Sequence, residues 1–337
     1  MVIDVRVVDR RHAVTTDGGR QRRPPRRPRV PATAMLGLAT AALAAVSVLI
    51  ALRPAPGRPA GPRVVARVSP GGGLTQVVAG FGSAWVLDNG DDLLLRIDPA
   101  TRRVTARLRL RAAIAIGGGR DSLWVGEGIN DLLRIDPGSG RVVARIPLQR
   151  GAFSGGVPIP IGNAIWVVGS ERALRVDART GRVTRAVAIA RRGAAARGAT
   201  ALRGDLVVVG DGRVVRLDGR TGARTAVFAA PFDGVPEAFG GALFLTDANR
   251  VARLDLSSGR VLWRRRIDRV GPVAMARGVL WAEAPGRNGD RLIGIDARSG
   301  RSVERVDVGE FGVLSMRAVG GELWMASAGG DVVVVRP

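Results

Sequence analysis

The sequence predicts an all-β, seven-bladed β-propeller of four-stranded blades, and three observations predict it. From Arg63 to the C-terminus one motif of about forty residues recurs seven times, the period of a propeller blade. Two columns stay in register through the repeats. One is large and mostly aromatic, at Trp85, Trp124, Trp166, Val207, Phe244, Trp281 and Trp324; the other is a turn aspartate at Asp98, Asp136, Asp177, Asp218, Asp255 and Asp296. Finally, the strand count closes. The last repeat stops at Pro337 after a third strand, while "RVVARVS" at 63–69 is an orphan that reads like the fourth strands "RVTARLRL" and "RVVARIPL". Pairing the orphan with the last blade closes the ring and removes two exposed edges.

Ahead of the ring, residues 1–30 are rich in Arg and Pro and cannot bury a core, so they predict a disordered basic tail. Residues 31–52, "PATAMLGLATAALAAVSVLIAL", carry no charge, and about 20 residues of helix span the roughly 30 Å of a bilayer core. Arg20, Arg22, Arg23, Arg26, Arg27 and Arg29 lie upstream; only Arg53 and Arg58 lie close downstream. The positive-inside rule then predicts a single-pass protein of the cell membrane with a cytoplasmic N-terminus and an extracytoplasmic propeller. A signal peptide cleaved to give a secreted protein is the alternative; the apolar run exceeds a usual h-region of about 7–15 residues. Residues 53–62, "RPAPGRPAGP", read as a stiff linker, and 63–337 as the propeller.

Within a blade, Val, Ile and Leu alternate at period two, which stacks apolar sheet faces on the neighbouring blades. Asn89-Gly90 and Asp211-Gly212 are the pairs that two-residue type I′ hairpins require. In the Asp-x-x-Ser/Thr-Gly turn between third and fourth strands, the aspartate accepts backbone N–H groups, and Gly140, Gly181, Gly222, Gly259 and Gly300 supply the left-handed residue. Arg102 replaces that glycine in the first blade, so a different turn is expected there. The triple-glycine runs at 71–73 and 117–119 meet no helix and read as tight turns, not phosphate cradles.

Composition excludes much chemistry. The chain has no Cys, hence no disulfide or thiolate site, and its single His, His12, lies outside the repeats. Net charge is +23. Residues 1–62 hold eleven Arg and three Asp, leaving +15 spread over all blades, with arginines such as Arg141, Arg182, Arg260 and Arg301 repeated at one turn position. A ring of turn charge is no nucleic-acid groove, and few aromatics are available to stack on bases. No nucleic-acid partner is expected.

"LDLSSGRVLWRRRI" at 254–267 resembles a PQQ-type repeat, and "LWVGEGINDLLRID" at 123–136 resembles the repeat of the virginiamycin B lyase group; 63–337 as a whole resembles the bacterial superfamily that holds these and the YVTN-type propellers. The resemblance implies a propeller of a kind that often forms the extracytoplasmic binding or sensing part of membrane-anchored bacterial proteins. Lyase chemistry in that group relies on a catalytic His with acidic residues and magnesium; Glu127 stands at the Leu-Trp-x-x-Glu position, but no His follows residue 12. No catalytic residue and no cofactor are expected.

One column is the candidate for function. Asp88, Glu127, Asp211, Asp247 and Glu283 fall at the end of the second strand or in the turn after it, so the repeat sets them on one rim of the central funnel, where carboxylates could hold a cation or a basic ligand. Capping of hairpins by the same side chains is the competing reading. The function expected is a monomeric, non-enzymatic propeller that binds a small molecule or a protein at its funnel face; the alternative is a propeller enzyme of the streptogramin-lyase type acting on a small molecule.

Overall fold

The computed structural model describes residues 61–128, 130–148, 157–309 and 312–337, which fall within one compact unit, Gly61–Pro337. Seven four-stranded antiparallel sheets make up this unit. Blades 1 to 6 occupy 74–109, 113–147, 159–188, 196–229, 235–266 and 273–307, each with its strands in chain order. Blade 7 takes three strands from 313–336, and its outermost strand is Arg63–Val68, antiparallel to Val332–Arg336 with Arg67 opposite Val333 and Val68 opposite Val332. The closure is the one the strand count predicts. Side chains reinforce it: the Arg67 guanidinium donates to the Val308 carbonyl of blade 6, Ser69 pairs with Asp331, and Val77 N–H of blade 1 donates to Ser315 Oγ of blade 7 at 3.1 Å.

The four strands differ in exposure because of where they stand. Second strands are covered on both faces by neighbouring blades, and Ser83–Asp88, Ala164–Val168 and Asp205–Gly210 are buried throughout. Fourth strands are the most exposed: Val104–Arg109 alternates, because only one face meets a neighbour, while Val183–Ala188 and Ser302–Asp307 are open over most of their length. Their outward arginines protect edges that would otherwise pair with another chain. The core is therefore a ring of inter-blade clusters. Trp85, Leu87 and Leu94 of blade 1 pack on Ile116, Leu123 and Val125 of blade 2, and all seven members of the aromatic column are 1% exposed or less.

A second column went unread in the sequence. The residue opposite the aromatic column on the third strand is arginine in five blades: Arg96, Arg134, Arg175, Arg216 and Arg253. Arg96 and Arg134 lie 5.5 and 5.8 Å from the Trp85 and Trp124 ring centroids, and their Nε donate to Ser83 and Ser122 at 2.9 and 2.8 Å. Blades 6 and 7 place Gly294 and Val334 there instead. In those two blades the indole N–H groups of Trp281 and Trp324 are buried without a partner.

The turns confirm two expectations and correct three: the aspartate-turn glycines, such as Gly140 and Gly300, take positive φ, while Gly117 and Gly118, expected in a tight turn, lie inside the first strand Ala113–Gly118. Asp211 and Gly212 have φ of 53° and 67°, as a type I′ hairpin demands. Asn89-Gly90 does not form one. The strands end at Asp88 and resume at Leu93, Asp92 rather than Gly90 takes positive φ, and a Cβ on Gly90 would sit 2.5 Å from the Gly72 carbonyl. That glycine serves close packing on the 71–73 segment. Arg102 does not change its turn either. It adopts φ 59° and donates its N–H to Asp98 O at 2.8 Å, just as Gly140 does to Asp136 O at 2.9 Å. Asp98 Oδ1 accepts from both the N–H (2.6 Å) and the hydroxyl (2.9 Å) of Thr101, which holds the turn against the side chain's preference. The Arg102 guanidinium then reaches Glu322 at 3.1 Å.

Among the described residues no helix is long and apolar enough to cross a membrane; the expected tail, anchor and most of the linker, residues 1–60, lie outside them.

Candidate functional site

First strands line the axis, so the residue opposite the aromatic column on each of them forms a ring around it. The seven are Val78, Gly117, Ile159, Thr200, Glu237, Ala274 and Arg317. All but Ala274 line a cavity of about 440 Å³, which shares Gln76, Val157, Val235, Glu237 and Arg317 with a second volume of about 490 Å³. The second also touches Thr246, Asp247, Val270 and Leu314, residues at the ends of second strands or before and within the starts of first strands. Together they make a continuous funnel leading from that face to the axis. Its wall is close-packed: a Cβ on Gly117 would lie 2.0 Å from the Pro158 carbonyl.

Two ring members are charged. Glu237 Oε1 and Arg317 Nη1 stand 4.0 Å apart, an ion pair longer than a hydrogen bond. Arg317 Nη1 donates to its neighbour's carbonyl, Met316 O, at 2.9 Å. The exposure Glu237 retains, 21% of its side chain, faces the lumen, and the surrounding protein pushes its carboxyl pKa up despite Arg317.

Of the five acidic rim positions, Asp88, Glu127 and Asp247 end their second strands and Asp211 begins the turn after its own, but Glu283 lies inside the longer strand Val279–Gly286 rather than at its end, and the five enter separate environments. Asp88, fully buried, accepts the N–H groups of Gly90 and Asp91 on Oδ1 at 3.1 and 3.2 Å, while Oδ2 has no partner; burial raises its pKa more than those bonds lower it. Glu127 pairs with Arg145, which also holds Asp131 at 3.1 Å. Asp211 accepts from Arg191 Nε at 2.7 Å, and that bond lowers its pKa. Asp247 accepts from Arg250 Nε and Asn249 N, both at 2.9 Å; burial opposes ionisation, but those donors leave its pKa lowered. Glu283 stands apart. It is 7% exposed beside Asp290, 9% exposed, in a cavity of about 430 Å³ that also meets Arg269. Burial, the Asp290 charge and a hydrogen bond between the two carboxyls push its pKa up to about 8. Among the described residues no three His, Cys, Asp or Glu side chains gather as a metal site would require.

Sequence reasoning missed the Glu237–Arg317 pair although a signal existed. Both precede Ala-x-Gly-Gly, in "PEAFGG" and "MRAVGG", and so occupy one register position of the repeat.

Residues 89–231 and 225–337 match the family model described as "Outer membrane protein assembly factor BamB". Among solved structures, the crystal structure of BamB from Moraxella catarrhalis aligns with a TM-score of 0.60 at 14% identity, over 82% of this chain and 100% of that one. No curated protein matches the sequence.

Proposed function

The chain belongs to the PQQ-like propeller repeat family described as outer membrane protein assembly factor BamB, and on that premise we propose that it is a non-enzymatic protein-binding module of the cell envelope. In this reading residues 31–52 hold it at the membrane, residues 1–30 stay in the cytoplasm, and residues 63–337 dock a partner protein outside it on the funnel face. The observation that carries the reading is the exposure of Val235 (45%) and Leu314 (50%) at the funnel mouth. Other exposed large aliphatics, Val183, Val227, Val261 and Val303 among them, lie on outer strands, which are exposed over most of their length. First strands have no such reason to show Val and Leu. An apolar patch beside charged groups, as Asp247, Glu237 and Arg317 stand here, has the anatomy of a protein interface. The pairs Glu127–Arg145, Asp211–Arg191 and Asp247–Arg250 would serve as its polar rim. Asp88 and Glu283 complete the column as buried members and would shape the rim rather than meet the partner.

Site-specific photo-crosslinking tests this. A crosslinker at position 235 or 314 of the membrane-bound chain is expected to capture one envelope protein, and one at 183 or 303 is not. Val235→Asp with Leu314→Asp should abolish capture and leave stability within about 0.5 kcal/mol, as for other exposed positions. Equal capture from mouth and outer strands would remove the basis for the proposal.

A further inference from the structure

We propose that the axial channel below the funnel mouth binds a free apolar α-amino acid, its carboxylate on Arg317 and its ammonium on Glu237. The inference goes beyond partner docking and does not rest on it. It starts from an arrangement the fold does not need. Of the seven axial ring positions, Val78, Gly117, Ile159, Thr200 and Ala274 are apolar, small or hydroxylic; only Glu237 and Arg317 carry charge, and they stand together.

The two groups do not satisfy each other. At 4.0 Å they are too far apart to hydrogen-bond, and among the described residues Arg317 is the only partner Glu237 has. Among those residues Arg317 donates only to Met316 O, leaving most of its five N–H groups to the lumen. A charged group with a poorly matched partner inside protein is costly, and a ligand that hydrogen-bonds both removes that cost.

The spacing selects the ligand. An acid and a guanidinium side by side at 4.0 Å complement an ammonium and a carboxylate borne on one carbon. A ligand with only one charge leaves one member of the pair as it was. A dipeptide separates its charges by more than the pair can span. Gln76, whose Oε1 is already taken by Ile116 N at 2.7 Å, offers its amide N–H groups to the same carboxylate. Around these polar groups the wall carries Thr200 and the largely exposed Arg197, which pairs with Asp233 at 3.9 Å, and is otherwise mostly apolar, with Val78, Ile116, Pro158, Pro160 and Pro236, so the ligand's side chain is aliphatic or aromatic. The volume of about 440 Å³ lies in the range of small-molecule pockets, about 300–1,000 Å³. Three prolines and the tight Gly117–Pro158 contact preform the wall, which lowers the ordering cost of binding.

Calorimetric titration and thermal shift of the full-length protein in detergent decide the matter, with L-leucine and L-phenylalanine as probes. Their one-charge relatives, 3-phenylpropionate and 2-phenylethylamine, serve as controls together with a Leu-Leu dipeptide. The expected result is saturable binding of leucine or phenylalanine, with every control weaker by about tenfold or more, which is ~1.4 kcal/mol. Glu237→Gln should weaken the amino acid by at least about that factor while leaving 3-phenylpropionate unchanged. Circular dichroism checks that this variant is folded; if it is not, the ligand series on the unaltered protein still decides. Absence of binding at millimolar amino acid, or 3-phenylpropionate binding as well as phenylalanine, would overturn the proposal.

Discussion

Replacing Glu283 by Gln should change how stability depends on pH, in a direction the structure fixes. Glu283 is packed against the Gly271 backbone, shares a hydrogen bond with Asp290, and has its pKa pushed up from 4.5 to about 8. The folded state therefore keeps a proton that the unfolded chain gives up above pH 4.5. Stability from this group is complete below pH 4.5 and is lost as pH rises toward 8. Between those limits the folded state binds one more proton than the unfolded, and unfolding free energy falls by about 1.4 kcal/mol per pH unit. Over roughly 3.5 units the ceiling is about 5 kcal/mol, reached only if Asp290 does not share the titration. Gln keeps a donor for Asp290 and has no proton to lose. Urea unfolding of both forms at about pH 5, 6.5 and 8 should show the variant no more stable at the lowest pH and increasingly the more stable form toward the highest. Parallel curves would mean that the carboxyl ionises freely in the folded protein, and the argument for a proton held between Glu283 and Asp290 would fall.

Removing 63–68 should cost several kcal/mol, at least the roughly 3–5 kcal/mol of a large core truncation, since a whole ladder and the packing of Val64, Val65, Ala66 and Val68 are lost; an unchanged melting temperature would contradict blade 7's shared construction. Arg102→Gly should be close to neutral, because relief of about 1 kcal/mol of left-handed strain is offset by the lost Glu322 pair; in a Glu322→Gln background the same change should stabilise, as denaturant midpoints would register. Trp85→Phe removes the N–H donated to Gly80 O at 3.2 Å and weakens the stacking of Arg96, whereas Trp281→Phe removes a buried N–H with no partner. The first should therefore cost about 1–2 kcal/mol more than the second by equilibrium unfolding.

The fold was legible because a repeat writes each structural requirement several times over. Even closure could be read, since a strand missing from one end of the chain was present at the other. What failed were inferences from one residue in one copy. Arg102 occupies a left-handed position because Asp98 and Thr101 impose it, and Gly90 is small for the sake of the segment that leads into the neighbouring first strand, not for its own hairpin. The acidic column was visible, but its partners were not. Arg145 comes from a fourth strand, Arg191 from the connection before blade 4, and Arg250 from the next strand of the same blade, three positions that share no column. Glu237 and Arg317 escaped because first strands carry the weakest pattern. A residue facing the lumen answers to the axis and not to a neighbouring blade, so the periodicity that exposes core positions gives it no emphasis.

That Arg63–Val68 completes the blade ending at Arg336 also sets a timetable. A ribosome adding about 5–20 residues per second makes the closing strand roughly 15–50 s before the strand it must join. Six sheets can assemble in that interval, but the ring cannot be sealed until the final residues emerge. Throughout it the first-made strand lacks its partner, and its valines are available to any hydrophobic surface nearby. A chaperone that shields residues near Arg63 in newly made chains, and releases them once Arg336 is available, would be acting at the point where this topology is most vulnerable.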